Sequence, residues 1–126
     1  MKKVIATTAA PGAIGPYSQA IEANGFVFAS GQIPIDPATG AFVPGGVEEQ
    51  AEQVLKNMKA VLAAADCTLS DVVKTTVFLT DMGDFAKVNA VYGKYFADLC
   101  PARSAVQVGA LPKGALIEME AIAVKK

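Results

Sequence analysis

Hydrophobic and polar positions recur with two different periods along the chain, and the change of period separates helices from strands. Apolar residues fall every three or four positions from Val47 to Ala65, which predicts a helix of about five turns. The same spacing from Phe85 to Phe96 predicts a second helix, which Asp81 or Asp84 can cap and which Pro101 follows. Each helix has a single apolar stripe, so each is expected to pack one face against a core.

The shorter apolar runs predict strands. These are Lys3–Thr8, Gln19–Ala23, Phe26–Ser30, Val72–Leu79, Arg103–Val108 and Ala115–Val124. Asn24 and Gly25 tolerate the positive φ angles of a type I′ turn, so the second and third strands are expected to form a hairpin. The Gly- and Pro-containing segment 109–114 leads us to consider a second hairpin between the last two strands.

This order of elements predicts one α+β domain spanning residues 1–126, with about six strands and two helices on one face of the sheet. No third layer of helices exists to cover the opposite face. Self-association through that face is therefore expected, and a closed ring of identical subunits is a simple solution.

Composition removes several functional classes. Eleven Lys and Arg residues oppose twelve Asp and Glu residues without a basic block, which argues against a nucleic-acid partner. The chain has no histidine, which excludes imidazole acid–base chemistry and histidine metal ligands, and no metal site is expected. No apolar run could span a bilayer, and Met1–Ala10 lacks the features of a secretory signal, so a cytoplasmic location is expected.

Two carboxylates interrupt the apolar run of the last predicted strand. Period-two geometry places Glu118 and Glu120 on the same face as Ile122 and Val124. Burial of an unpaired carboxylate is costly, so at least one of the two needs a cation, a water-filled pocket or a raised pKa. The alternative is an edge strand on which both glutamates are solvated.

Arg103 begins the preceding strand and shares a face with Ala105. If segment 109–114 closes a simple hairpin, Arg103 lies beside Glu118 and Glu120. A guanidinium in such a place either forms a structural ion pair or binds the carboxylate of a ligand through two parallel hydrogen bonds. The residues alone leave both interpretations open.

Three further positions are weaker candidates. Tyr17 follows Gly15 and Pro16 in a loop that could present a phenol at a pocket rim, although half-buried packing is the commoner role of such a residue. Ser30 and Gly31 end the predicted hairpin, where glycine permits close approach of a ligand. Asn89 lies in the second helix, where most asparagines are simply exposed.

Four segments together resemble the Rid family of reactive-intermediate deaminases, and its RidA subgroup in particular. They read AIGPYSQA, ASGQIPIDPATG, VVKTTVFLTDMGDFAKVNAVY and PARSAVQVGALPKGALIEMEAIAV, and they cover nearly the whole chain. The resemblance implies a chorismate-mutase-like fold with a mixed sheet. It also implies a homotrimer with active-site clefts between its subunits.

The resemblance further implies hydrolysis of 2-aminoacrylate and related 2-imino acids to 2-oxo acids and ammonia, without a cofactor. Arg103 would bind the substrate carboxylate and Glu118 would activate water. The other implied pocket positions are Tyr17, Ser30, Gly31, Asn89 and Ala105, and Ala105 stands where many members carry a cysteine. Some of these residues would come from the adjacent subunit.

Two rival functions are considered. One is a ribonuclease or translation inhibitor, an activity attached to relatives of this family; the net charge of -1 and the lack of histidine argue against it. The other is a non-enzymatic trimer, either a small-metabolite binding module or a holdase-like chaperone.

Overall fold

The computed structural model describes residues Met1 to Lys126. Its main elements are β1 (Lys3–Ile5), β2 (Ala20–Ala23), β3 (Phe26–Gln32), α1 (Val47–Ala64), β4 (Val72–Leu79), α2 (Phe85–Tyr95), β5 (Ala102–Gln107) and β6 (Ile117–Val124). All six strands form one sheet in the order β1-β2-β3-β6-β4-β5. The β4–β5 pair is parallel and the other pairs are antiparallel, so the sheet is mixed and the predicted α+β class is confirmed.

The predicted hairpin between β2 and β3 is confirmed. Asn24 and Gly25 adopt φ angles of 53° and 79°, and Ala23 pairs with Phe26 across the turn. By contrast, β1 is shorter than predicted and ends at Ile5. The chain turns away there because the backbone N–H of Thr7 donates to Oε1 of the buried Gln19 rather than to a neighbouring strand.

Both helices cover the same face of the sheet. Val54, Met58 and Leu62 of α1 are buried against alternate residues of the strands, of which Val77 and Met119 are examples. The opposite face, called here the open face, carries exposed or half-exposed apolar side chains: Val4, Ile21, Phe26, Phe28, Phe78, Val106, Ile122 and Val124. Neither helix has the combination of length and hydropathy that a bilayer-crossing segment needs.

The possible hairpin between the last two strands is not formed, because β5 and β6 do not pair with each other. Helix α2 is the crossover that makes β5 a parallel neighbour of β4, whereas β6 lies antiparallel between β3 and β4. A strand with apolar residues on both faces suits this central position, and β6 has such a pattern. Arg103 therefore pairs with Thr75 of β4, and a whole strand separates it from Glu118 and Glu120.

Candidate active site

Glu118 lies on the open face of β6 and is half-buried. It contributes to a cavity of about 360 Å³ whose lining residues are Ile14, Tyr17, Ser30, Gly31, Ile33, Pro112 and Glu118. We call this space the glutamate cavity. The structure thus brings Tyr17, Ser30 and Gly31 together with Glu118, as the family resemblance implied.

A β-bulge lets the carboxylate of Glu118 lie against the backbone of β3. The pairing of β3 with β6 shifts between Ala29 and Gln32, and Gly31 occupies this irregular stretch. A Cβ atom on Gly31 would lie 2.8 Å from Cδ of Glu118 and would overlap its carboxylate oxygen. Glycine is therefore the residue that leaves room for the acid group.

The environment of Glu118 raises its pKa. Burial is the larger cause, because it disfavours the charged form, and the negative charge of Glu120 adds to the effect. Glu120 itself is exposed. The alternative of an edge strand with two solvated glutamates is wrong, since β6 is central and only one of the two is exposed. A carboxyl group with a raised pKa beside a cavity is suited to accepting a proton.

Buried amide side chains form hydrogen bonds with the backbone segments that lead into this cavity. Gln19 donates through Nε2 to the carbonyl oxygens of Thr7 and Pro11, at 3.0 and 2.8 Å, and so shapes the loop that leads to Tyr17. Asn57 of α1 donates through Nδ2 to the carbonyls of Ile33 and Ile35, at 3.2 and 2.9 Å. These supports escaped the sequence analysis.

A third amide fixes the segment that enters β6. Oε1 of Gln50 accepts a hydrogen bond of 2.8 Å from the backbone N–H of Leu116. Gln50 and Asn57 both lie within the apolar stripe of α1, and both are buried. A polar residue on a buried stripe is the signal that could have identified them.

Arg103 lies on the helix-covered face of β5. Its Nη1 donates to Oδ1 of Asn89 at 2.7 Å, and its guanidinium carbon is 4.8 Å from the ring centroid of Tyr92 and 5.2 Å from that of Phe85. We call this surround the arginine cradle. Ala105 lies on the same face, two residues farther along β5, and packs against the core.

Arg103 has no acidic partner. The three ion pairs of the chain are Lys94–Glu52, Lys125–Glu22 and Lys126–Asp71. The structural ion pair considered from the sequence is therefore wrong within one chain. A partly buried guanidinium without a carboxylate retains N–H donors that a ligand can use.

The candidate residues thus fall into two groups on opposite faces of the sheet. Glu118, Tyr17, Ser30 and Gly31 form the glutamate cavity, and Arg103, Asn89 and Ala105 belong to the arginine cradle. One chain by itself does not bring Arg103 and Glu118 into a common cavity.

Comparison with known proteins gives the family. The model of the family described as Endoribonuclease L-PSP matches residues 7–125. Mouse 2-iminobutanoate/2-iminopropanoate deaminase is 54% identical over 125 residues, which are 99% of this chain and 93% of the mouse protein. The structure of YyfA from Yersinia pestis, described as a member of the conserved Rid protein family, superposes with a TM-score of 0.96 at 54% identity and covers 98% of this chain and 99% of YyfA.

The chain belongs to the Rid family. A second solved structure, Escherichia coli TdcF with bound serine, has a TM-score of 0.94 at 48% identity and covers 98% of this chain and 99% of TdcF. The fold is accordingly the chorismate-mutase-like α+β fold that the resemblance implied.

Proposed function

We propose that this Rid-family protein is a deaminase that hydrolyses 2-imino acids, including those derived from 2-aminoacrylate, to 2-oxo acids and ammonia. The name of the mouse relative supports the reaction class. The observation that carries the assignment of residues is the partly buried guanidinium of Arg103, which aromatic rings and an amide surround and no carboxylate neutralises.

Arg103 binds the substrate carboxylate in this proposal. A guanidinium presents its N–H donors in a planar fork that matches a carboxylate, and two parallel hydrogen bonds fix both position and orientation. The adjacent C=N carbon is then held in place for attack. The serine bound to TdcF is a small ligand with a carboxylate next to a nitrogen-bearing carbon, which agrees with a ligand of this class.

Glu118 acts as the general base. It takes one proton from a water molecule whose oxygen attacks the C=N carbon, and it passes this proton to the imine nitrogen as the C–O bond forms, which restores the carboxylate. Transfer of the remaining proton to nitrogen and cleavage of the C–N bond then release ammonia and leave the 2-oxo acid. General-base assistance of this kind contributes about 10²- to 10⁴-fold to a rate. No step requires a cofactor.

The complete site needs a second copy of the chain. Arg103 and Glu118 lie on opposite faces of one sheet, and the open face exposes aromatic residues such as Phe26 and Phe28. We therefore propose a homotrimer in which the open face is covered. The arginine cradle of one subunit, with Asn89 and Ala105, then meets the glutamate cavity of the next, with Tyr17, Ser30 and Gly31.

The test is a coupled assay in which a pyridoxal-phosphate-dependent dehydratase generates the imino acid and release of the 2-oxo acid is followed. Wild-type protein is expected to accelerate release, whereas Arg103→Ala and Glu118→Gln are expected to lose about 100-fold or more of that acceleration. Lys87→Ala, an exposed cation on α2, is the control. Near-wild-type rates for either site variant would contradict its assigned role.

Co-expression of the two inactive variants tests the shared site. In a mixed trimer, the intact cradle of a Glu118→Gln subunit can meet the intact cavity of an Arg103→Ala subunit. Random assembly at equal amounts is expected to restore about a quarter of the wild-type sites. Mixed trimers without recovered activity would contradict an active site formed between subunits.

The endoribonuclease description of the family model raises RNA cleavage as a second candidate. The net charge of -1 and the lack of histidine make us expect no cleavage. RNA degradation by the wild type that disappears in Arg103→Ala would favour the nuclease. Binding of a 2-oxo acid without any acceleration in the coupled assay would instead favour a non-enzymatic binding module.

A further inference from the structure

Three residues on one face of α2 contact the side chain of Arg103. Phe85, Asn89 and Tyr92 follow one another at spacings of four and three residues, so they lie on the same face of the helix. Asn89 provides the single hydrogen bond, and the two aromatic rings provide the remaining contacts with the guanidinium. No carboxylate takes part in this arrangement, because none of the ion pairs of the chain includes Arg103.

The nearer ring is itself tied to the strand beside Arg103. The hydroxyl of Tyr92 shares a hydrogen bond of 2.8 Å with Oγ1 of Thr75, and Thr75 is the fully buried register partner of Arg103 across the β4–β5 pair. Phe96 packs on the ring of Tyr92 at a centroid distance of 4.7 Å. Tyr92 therefore cannot change its rotamer without the loss of a buried hydrogen bond and an aromatic contact.

Aromatic partners differ from an acidic partner in what they leave free. The N–H donors of a guanidinium point outward within its plane, whereas an aromatic ring that stacks on the group contacts its face. A ring can thus restrain the plane of the group without consuming a donor. A carboxylate in the same place would occupy the fork that the substrate carboxylate needs.

We propose that Tyr92, held by Thr75, is a positioning residue that orients the Arg103 guanidinium for bidentate binding of the substrate carboxylate. Phe85 contributes the second, weaker restraint. The inference rests on the proposed function, because it assumes that Arg103 is the carboxylate-binding group. It predicts that loss of the Tyr92 ring weakens carboxylate binding more than it slows the chemical step.

The experiment measures KM and kcat for imino-acid hydrolysis and, separately, the Kd of the non-reacting probe 2-oxobutanoate. Tyr92→Leu is expected to raise KM and the probe Kd about tenfold and to change kcat by less than about threefold. Tyr92→Phe, the matched control that keeps the ring, is expected to stay within about threefold of wild type in all three quantities. Circular dichroism establishes that each variant is folded.

Two further variants keep the inference testable if Tyr92→Leu does not fold. Thr75→Val and Tyr92→Phe remove the same hydrogen bond. The variant that combines these two substitutions is therefore expected to bind the probe no more weakly than either single variant. Phe85→Leu, at a half-buried position, is expected to raise the probe Kd about threefold.

The outcomes separate the two proposals. If Arg103→Ala abolishes probe binding but Tyr92→Leu and Phe85→Leu bind the probe as the wild type does, the inference about Tyr92 is overturned and the carboxylate clamp stands. If Arg103→Ala itself retains wild-type probe binding, the clamp is overturned and the inference falls with it. A lower melting temperature with an unchanged probe Kd would show that Tyr92 serves stability alone.

Discussion

The arginine cradle and the glutamate cavity are built in different ways. The cradle consists of side chains from a regular helix, α2, over two adjacent strands, so helix periodicity and strand register set its geometry. The cavity is made by a bulge in β3, by the loop before β2 and by the segment before β6. Loops lack the repeating hydrogen bonds of helices and sheets, so something else must fix them.

Buried polar residues show what fixes the cavity. Of the five buried polar side chains of the chain, one, Thr75, supports the cradle, and four bind the backbone of the cavity wall or of the segments that lead into it; the four are Gln19, Gln32, Gln50 and Asn57. Each of the four forms hydrogen bonds with backbone groups, which offsets the cost of its burial. The cavity should therefore be sensitive to loss of these hydrogen bonds, and the cradle to loss of ring contacts.

The largest expected effect comes from Gly31→Ala, which alters the glutamate cavity and leaves the arginine cradle unchanged. The added methyl group occupies the space of the Glu118 carboxylate, and the flexible acid side chain must move away. We expect the fold to persist and the deaminase rate to fall by about 100-fold or more, as for loss of a general base. The coupled assay measures the rate, and the probe Kd for 2-oxobutanoate reports whether the cradle is intact.

Gly93→Ala is the matched control for this substitution. Gly93 is exposed on α2 and a Cβ there meets no atom within 4 Å, so the variant is expected to keep full activity and to gain about 0.5–1 kcal/mol of stability. Full activity in Gly31→Ala would mean that Glu118 need not occupy the position seen here.

Substitution of two asparagines, one at the cavity and one in the cradle, is expected to give the next largest effects. Asn57→Ala leaves the carbonyls of Ile33 and Ile35 without their donor in a buried site, and we expect a loss of about 2–4 kcal/mol in the free energy of unfolding. Asn89→Ala is expected to cost less than about 1 kcal/mol in stability, because Asn89 is half-exposed, but to raise the KM. Chemical denaturation and steady-state kinetics measure the two quantities, and equal losses of stability would contradict the distinction.

Local sequence patterns predicted most of the fold. The periodicities of 47–65 and 85–96 gave both helices to within about a residue, and Asn24-Gly25 gave the hairpin. The place of β6 between β3 and β4 was missed, since strand order depends on contacts far apart in sequence. A helix between β4 and β5 was nevertheless a sign that those two strands are parallel neighbours.

The site was less accessible to sequence reasoning. Because charge burial is costly in any fold, two carboxylates in an apolar strand predicted that at least one of them has a cation, a pocket or a raised pKa, and Glu118 has the last two. The partners of Arg103 could not be read in the same way. They lie on α2, and the expectation of a neighbouring carboxylate came from a strand register that the fold does not have.

The smallest expected effect tests which of two neighbouring glutamates is the base. The charge of Glu120 raises the pKa of Glu118, so Glu120→Gln should lower that pKa toward its ordinary value. A base must be ionised, so the deaminase activity is lost as the pH falls through the pKa of Glu118, and this loss is the acidic limb of the pH–rate profile. In Glu120→Gln the acidic limb should move to lower pH by less than about one unit. The shift should shrink at high salt, which screens an exposed charge.

The free energy of unfolding of Glu120→Gln should also depend on pH through Glu118. A raised carboxyl pKa means that ionisation of Glu118 costs folding free energy as the pH rises past the ordinary carboxyl range, so Glu120→Gln should stabilise the fold above that range and not below it. Glu48→Gln, which removes an exposed acid of α1, is the control for the activity profile and should leave the acidic limb in place. Disappearance of the acidic limb in Glu120→Gln would instead make Glu120 the base, because only the proton acceptor itself can remove the limb rather than displace it.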